Sequence, residues 1–182
     1  MNRRFTAATA ALLLFIASGA LAGDLDALAR DLERVLGKGR VEVSRRTIPA
    51  RQSGTHELVE EMNRERAAYG LEPLRLNENL SQAAQDRIVD MFDQRYFAHV
   101  APDGTQPFTW VARRGYRYRA VGENLAVGYP TAARVVRGWM ESPGHRANIL
   151  QRNFDEIGIA VANGAPVRGY AGPTIVAIYG SR

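Results

Sequence analysis

Apolar residues recur at intervals of three and four along several stretches of the chain, which predicts amphipathic helices. One such stretch runs from Thr55, expected to be the N-cap, to Tyr69, and a second runs from Leu80 to Gln94. A shorter helix is expected to begin at Pro107, and another follows Thr131, whose hydroxyl suits a helix N-cap. The chain therefore contains several helices that each need a partner surface.

Two β-rich runs lie near the end of the sequence, at residues 157–162 and 174–179. Asn163 and Gly164 follow the first run, and further glycines and prolines precede the second, which is typical of an antiparallel pair. Several helices packed around a small, mainly antiparallel sheet define an α+β fold. We expect this domain to occupy residues 55–182.

Residues 1–22 have the pattern of a secretory signal peptide. Arg3 and Arg4 precede the apolar run 10–16, and small residues end at Ala22. That run is too short for a membrane span, and no later run approaches the roughly 20 apolar residues that a transmembrane helix needs. The sequence predicts an exported protein, periplasmic or secreted, without a transmembrane segment in the mature chain.

Residues 23–54 are predicted to form a helix followed by a linker. Leucines and Val35 between Asp24 and Leu36 form one apolar stripe, and Gly37 ends it. The stretch from Gly37 to Gly54 is basic and rich in turn residues. The helix could dock on the domain or on a partner.

The composition excludes several kinds of site. The chain has no cysteine, which excludes disulfides, thiolate metal sites and cysteine nucleophiles. Its net charge of +5 falls by two when Arg3 and Arg4 are removed with the signal peptide. The arginine cluster between Arg113 and Arg119 could edge a groove or be an ordinary solvated face, and export argues against a nucleic-acid partner.

Two histidines lie in fixed, turn-rich contexts. Ser142-Pro143-Gly144 breaks an amphipathic run, so His145 is expected on a fixed loop or at a new helix start. His99 lies between an aromatic pair and the turn Pro102-Asp103-Gly104. Glu123 lies between them in the sequence, and imidazole and carboxylate groups together suit Zn²⁺ or another divalent cation.

Structural interpretations of the same residues stay open. The three could be surface groups or hydrogen-bond partners, with Glu123 accepting backbone N–H groups and Asn124 tying a turn. Ser142 lies near His145, but the Gly-x-Ser-x-Gly pattern of many serine hydrolases is absent. His56 and Glu57 resemble the start of a helical zinc motif whose second histidine is replaced by Glu60.

The order of these motifs resembles that of the CAP superfamily of cysteine-rich secretory, antigen 5 and pathogenesis-related 1 proteins, also called the SCP domain, in its bacterial extracellular form. The resemblance covers about residues 56–179 and is carried by the segments 63–66, 97–99, 122–124, 139–150 and 154–158. It implies an α-β-α sandwich. It also implies a central cavity lined by two histidines and two glutamates that binds a divalent ion in some members.

His99, Glu123 and His145 match three of those four cavity positions. At the fourth, where many eukaryotic members have glutamate, this chain has Ser142, and Glu141 precedes it by one residue. One residue along a helix turns a side chain by about 100°, so Glu141 cannot simply replace the missing carboxylate. Glu156 is the remaining candidate for the fourth position.

Three functional hypotheses follow from the resemblance and the residues. The favoured one is a binding module whose cavity recognises an extracellular or envelope ligand, which could be a small molecule, lipid, glycan or protein. The second is a metal-assisted, peptidase-like hydrolase in which His99 and His145 hold the ion and Glu123 is a ligand or base. The third is a scaffold in which the three side chains are structural.

Overall fold

The computed structural model describes residues 52–182. The predicted signal peptide and the predicted 24–36 helix lie outside the described residues. The elements in chain order are α1 (Gln52–Ala68), β1 (Arg75–Leu76), α2 (Glu78–Gln94), α3 (Phe108–Arg113), β2 (Ala120–Val127), α4 (Ala132–Glu141), α5 (Pro143–Ile149), β3 (Glu156–Ala162) and β4 (Thr174–Ser181).

The four strands form one sheet in the order β1-β3-β4-β2. β3 and β4 are antiparallel, with Ile157 opposite Tyr179, and β2 is antiparallel to β4, with Glu123 opposite Ile178. The short β1 runs parallel to β3. The predicted antiparallel pair is confirmed, and β2 forms one edge of the sheet.

Both faces of the sheet are covered by helices. One buried cluster joins side chains of α1, α4 and α5 to Ile175, Ala177 and Tyr179 of β4. The other joins α2 and α3 to Val176 and Ile178. Because successive side chains of a strand point to opposite faces, β4 contributes to both clusters. The fold is an α-β-α sandwich, as the resemblance implied, and it agrees with the α+β class predicted from the sequence pattern.

Side-chain caps begin two of the helices. The Asn77 side chain accepts a hydrogen bond from the Leu80 N–H and begins α2, and Thr131 caps α4 through the Arg134 N–H, as predicted. Thr55 is not the cap of α1, which begins at Gln52 and contains Thr55 within its first turn. No strand was predicted at β2, because its polar Glu123 and Asn124 interrupt the apolar pattern.

Helix α2 packs very closely against β3 at Gly158. A Cβ atom at this position would lie 2.0 Å from the Leu80 carbonyl carbon and 2.1 Å from the Ser81 nitrogen. Only glycine allows the helix to approach this far. Within residues 52–182, no helix is long and apolar enough to cross a membrane.

Candidate functional site

The three predicted site residues meet at the edge strand β2. The His99 Nδ1 lies 2.8 Å from Oε1 of Glu123, and the rings of His99 and His145 are 6.4 Å apart between centroids. The Glu123 side chain is 3% exposed, whereas that of His99 is 54% exposed. The site is therefore a pair of accessible imidazoles, one of which is held by a buried carboxylate.

Strand alternation explains how adjacent residues of β2 serve both histidines. Glu123 bonds to His99 and to a side chain of α2, whereas the amide of Asn124 donates to the main-chain oxygen of His145 in α5. Since neighbouring side chains of a strand point to opposite faces, each residue reaches a different helical layer. The Glu-Asn pair thus holds the two layers together across the edge of the sheet.

Arg87 lies beneath this site and was not predicted from the sequence. Its side chain is fully buried, and its Nε donates to Oε2 of Glu123 over 3.1 Å. The same guanidinium donates to the main-chain oxygens of Ala98 and of His99, the latter at 2.7 Å. Arg87 therefore fixes both the carboxylate and the loop that carries the first histidine.

Aromatic residues bond to and surround the Arg87 guanidinium. It donates to the hydroxyl of Tyr96, which in turn donates to Asp90, and it lies 4.7 Å from the centroid of the Trp110 ring. Burial, followed by the hydrogen bond to Asp90, raises the pKa of Tyr96 far above its ordinary range, so the phenol stays protonated. Trp110 is buried and packs beneath the site.

A sequence signal for Arg87 exists. The buried stripe of α2 includes Leu80, Ala84 and Met91, and position 87 falls on the same side of the helix, at intervals of seven, three and four. An arginine in the middle of an apolar stripe is rarely buried without partners. It therefore indicates a buried acceptor, although the pattern does not say which one.

Helix α5 is fastened to β2 by two asparagines. Asn148 donates to Oδ1 of Asn124 over 2.8 Å and to the main-chain oxygen of Glu123 over 3.1 Å. Gly122 makes this approach possible, because a Cβ there would lie 2.8 Å from the Asn148 side-chain oxygen. The segment Gly122-Glu123-Asn124 is thus a docking point for the helix that carries His145.

Arg66 of α1 holds the other end of α5. Its guanidinium is buried and donates to the main-chain oxygens of Ile149, Gln151 and Phe154, at 2.7 to 3.0 Å. Carbonyl groups at a helix C-terminus carry partial negative charge and lack partners within the helix. A buried cation here satisfies them and fixes the position of the short helix.

His145 is predominantly neutral at pH 7. Burial, and then the nearby charge of His99, lower the pKa of His145 below its ordinary value of 6.5. A neutral imidazole has one nitrogen that accepts a hydrogen bond or binds a cation. The site therefore contains at least one histidine in its metal-binding or acceptor form.

The arrangement does not contain a ready three-ligand metal site. Both carboxylate oxygens of Glu123 are engaged, one by Arg87 and one by His99. Among residues 52–182, no group of three or more histidine or acidic side chains is placed to hold a metal ion. Glu123 instead bonds to Nδ1 of His99 and so fixes the orientation of this ring.

The weaker candidate Glu156 belongs to a different network. It accepts hydrogen bonds from Tyr116 and Asn77, at 2.6 and 2.9 Å, and pairs with Arg182. Burial raises its pKa, but these hydrogen bonds and the arginine charge outweigh burial and lower the pKa overall. Within residues 52–182, none of its hydrogen bonds reaches His99 or His145.

Glu141 and Ser142 lie at the corner between α4 and α5. Glu141 is exposed and lines surface cavities with Met140 and Arg146. The main-chain oxygen of Ser142 accepts from the Arg146 N–H over 2.8 Å, whereas its hydroxyl makes no cap hydrogen bond. Neither side chain forms a hydrogen bond to the histidine pair among the described residues.

The fold and the site together define a protein class: an α-β-α sandwich with two histidines beside a glutamate of the edge strand. The family model of the cysteine-rich secretory protein family, CAP, matches residues 59–179. The chain belongs to this family, although it contains no cysteine.

Sequence relatives include two Bacillus subtilis proteins. YkwD is 44% identical over 102 residues, which cover 56% of this chain and 40% of YkwD. The membrane protein YlbC is 27% identical over 96 residues, which cover 53% of this chain and 28% of YlbC. This chain therefore aligns with less than half the length of each relative.

Solved structures share the fold. An outer surface protein of Borrelia burgdorferi has a TM-score of 0.64 at 22% identity, covering 72% of this chain and 94% of that one. An extracellular protein containing an SCP domain from Bacillus anthracis has a TM-score of 0.62 at 21% identity, covering 72% of this chain and 41% of that one. At this identity the likeness establishes the fold alone.

Proposed function

We propose that this protein is an exported binding module that recognises a polar group of an extracellular or envelope ligand between His99 and His145. The main support is the accessible imidazole of His99. Glu123 bonds to its Nδ1, and Arg87 in turn bonds to Glu123. A fixed ring loses little conformational freedom on binding, so its free nitrogen is a preorganised contact. The signal-like residues 1–22 support export.

The same geometry weighs against Glu123 as the base of a hydrolase. A general base needs an oxygen or nitrogen that is free to accept a proton from water or substrate. Each Glu123 oxygen already bonds to a donor in a place that water barely reaches. Its role is to position His99, so Glu123 is not free to act as the base that the hydrolase hypothesis assigns to it.

Binding is tested by sedimentation of the protein with envelopes isolated from the cells that produce it. We expect saturable binding by the unchanged protein and loss of at least about tenfold in affinity for His99→Ala/His145→Ala, since two polar contacts disappear. His56→Ala is the matched control, because His56 is exposed and lies on α1. Equal binding by all three proteins refutes the proposal, and release of soluble envelope fragments by the unchanged protein favours the hydrolase.

A second candidate is a divalent cation held by His99 and His145. The contact between Glu123 and the His99 Nδ1 favours it, because metal-binding histidines commonly direct their other nitrogen to a carboxylate. The two imidazoles would hold the ion, and Glu123 would orient His99 without binding the metal. A bound cation would supply Lewis acidity and a strong contact for an anionic ligand group.

Calorimetric titration of the chelator-treated protein with Zn²⁺ and Mg²⁺ tests the cation. We expect stoichiometric heat with Zn²⁺ that disappears in His99→Ala/His145→Ala and weakens below about pH 6.5, since protons compete for the imidazoles. Glu123→Gln should weaken binding by about 10 to 100-fold without abolishing it. Identical titrations of wild type and double variant exclude this candidate and leave the metal-free binding module standing.

A further inference from the structure

A concave site lies apart from the histidine pair. It is a cavity of about 420 Å³ between the start of α2, the loop before β2 and the end of β4. Its lining contains none of the histidine-site residues and consists of Asn79, Gly115, Arg117, Tyr118, Arg119 and Arg182.

The cavity has an excess of unneutralised positive charge. Arg182 pairs with Glu156 at 3.3 Å and stays 60% exposed. Within residues 52–182, neither Arg117 nor Arg119 forms an ion pair or a side-chain hydrogen bond. The neighbouring Arg114, in contrast, binds Asp86 through two hydrogen bonds. Among the described residues, the guanidinium groups of Arg117 and Arg119 thus have no carboxylate partner.

One of the three arginines is held in place by the fold. The Arg182 guanidinium lies 5.0 Å from the centroid of the Tyr116 ring, and Tyr116 donates to the same carboxylate that Arg182 pairs with. That carboxylate, Glu156, also accepts from Asn77, the N-cap of α2. The Glu156 network therefore serves as a support for the basic cavity, a role separate from the histidine site.

The chemistry of the lining selects a phosphate group. A guanidinium donates two parallel hydrogen bonds to an oxyanion, and a phosphate carries more negative charge and more acceptor oxygens than a carboxylate. A phosphate presents oxygens in several directions, so it can accept from several arginines around one cavity. Tyr118, 42% exposed, and the open side of Gly115 leave room for an uncharged part of the ligand.

We propose that this basic cavity binds a phosphate-bearing ligand through Arg117, Arg119 and Arg182. The phosphate can belong to a soluble phosphorylated molecule or to the headgroup of an anionic lipid. Binding places a counter-charge beside Arg117 and Arg119 and weakens with salt, because the cavity is open to solvent.

Two probes distinguish these sources. Inorganic pyrophosphate is titrated calorimetrically at low salt, and phosphatidylcholine vesicles with and without phosphatidylglycerol are tested by co-sedimentation. Saturable pyrophosphate binding supports a soluble phosphorylated ligand, and binding only to vesicles that contain phosphatidylglycerol supports a headgroup. Absence of binding to both probes overturns the proposal.

Arg117→Gln/Arg119→Gln is the decisive variant, since these side chains hold no other part of the described structure. We expect a loss of about tenfold or more in affinity for the bound probe, as charge-assisted hydrogen bonds disappear. Arg152→Gln/Arg168→Gln removes the same charge from exposed positions outside the cavity and should retain at least most of the affinity. If both variants lose the same affinity and keep the circular dichroism of the unchanged protein, the effect comes from net charge alone and the proposed site is refuted.

Discussion

At the scale of single residues, the histidine site depends on an ion pair that water barely reaches. Arg87 is fully buried, and the side chain of Glu123 is 3% exposed. Taking two charges out of water is costly, and their mutual attraction recovers this cost only when the remaining hydrogen-bonding groups are satisfied. The carbonyls of Ala98 and His99 and the hydroxyl of Tyr96 accept the remaining hydrogen bonds of the guanidinium.

Arg87→Met is expected to destabilise the domain by about 3 to 5 kcal/mol, because it leaves the buried Glu123 carboxylate without its cation. Arg64→Met is the matched control. Arg64 is 66% exposed and pairs with Glu61 on the surface of α1, so its loss should cost less than about 1 kcal/mol. Urea denaturation measures both changes.

The double variant Arg87→Met/Glu123→Gln separates the ion pair from simple loss of packing. It should recover part of the stability that Arg87→Met alone loses, since no charge is then left unpaired. Similar free energies of unfolding for Arg87→Met and Arg64→Met would contradict the structural role assigned to Arg87.

The titration of His145 links the site to pH. Its pKa is lower in the folded protein than its ordinary value of 6.5, so the unfolded chain binds more protons. Stability contributed by neutral His145 is fully present above about pH 6.5 and is lost as pH falls below that value. Urea midpoints should therefore decrease less between neutral pH and about pH 5 in His145→Gln than in wild type. Identical decreases would show that this histidine is not the group responsible.

At the scale of elements, glycines determine how closely helices approach the sheet. Gly122 admits the Asn148 side chain of α5, and Gly158 admits the backbone of α2. Both positions lie in strands, where glycine costs stability and provides no side chain to pack. The close approach they allow places Arg87 and His145 near the edge strand from opposite layers.

Gly158→Ala is expected to destabilise the protein by about 1 to 3 kcal/mol or more, because the new methyl group overlaps the α2 backbone. Gly144→Ala is the control. No atom lies within 4 Å of a Cβ at Gly144, and alanine favours a helix more than glycine does. Thermal denaturation should show a clear loss for the first variant and no loss for the second. Equal melting temperatures for Gly158→Ala and wild type would show that α2 can move away from β3 without loss of stability.

At the scale of the whole described domain, two hydrophobic clusters share one sheet. Each cluster contains one tryptophan: Trp139 on the side of α1 and α4, and Trp110 on the side of α2 and α3. The strand β4 lies between them with every residue buried. Since neither cluster can lose this strand and persist, we expect the two to unfold together.

Single-tryptophan variants test this coupling. Trp110→Phe leaves fluorescence from Trp139, and Trp139→Phe leaves fluorescence from Trp110. In each variant the fluorescence midpoint in urea should coincide with the midpoint from circular dichroism, as in a two-state transition. Separate midpoints in either variant would mean that one layer opens independently.

Much of this fold could be predicted from the sequence because its signals are local. Helical periodicity, the cap residue Thr131 and the β-rich runs each depend on neighbours a few residues away. The start of α1 and the strands β1 and β2 were missed. In β2, the polar Glu123 and Asn124 are buried because each finds a partner from a different layer, which a local pattern does not reveal.

The sequence by itself determined the helical and strand periodicity, the absence of thiol chemistry, and the choice of His99, Glu123 and His145 as candidate residues. Tertiary structure alone decided what each side chain does. It turned both oxygens of Glu123 toward Arg87 and His99, and it placed Glu156 beside the basic cavity. The physical reason is that a side chain's charge and hydrogen-bonding capacity are set by its composition, whereas its partners come from residues far away in the chain.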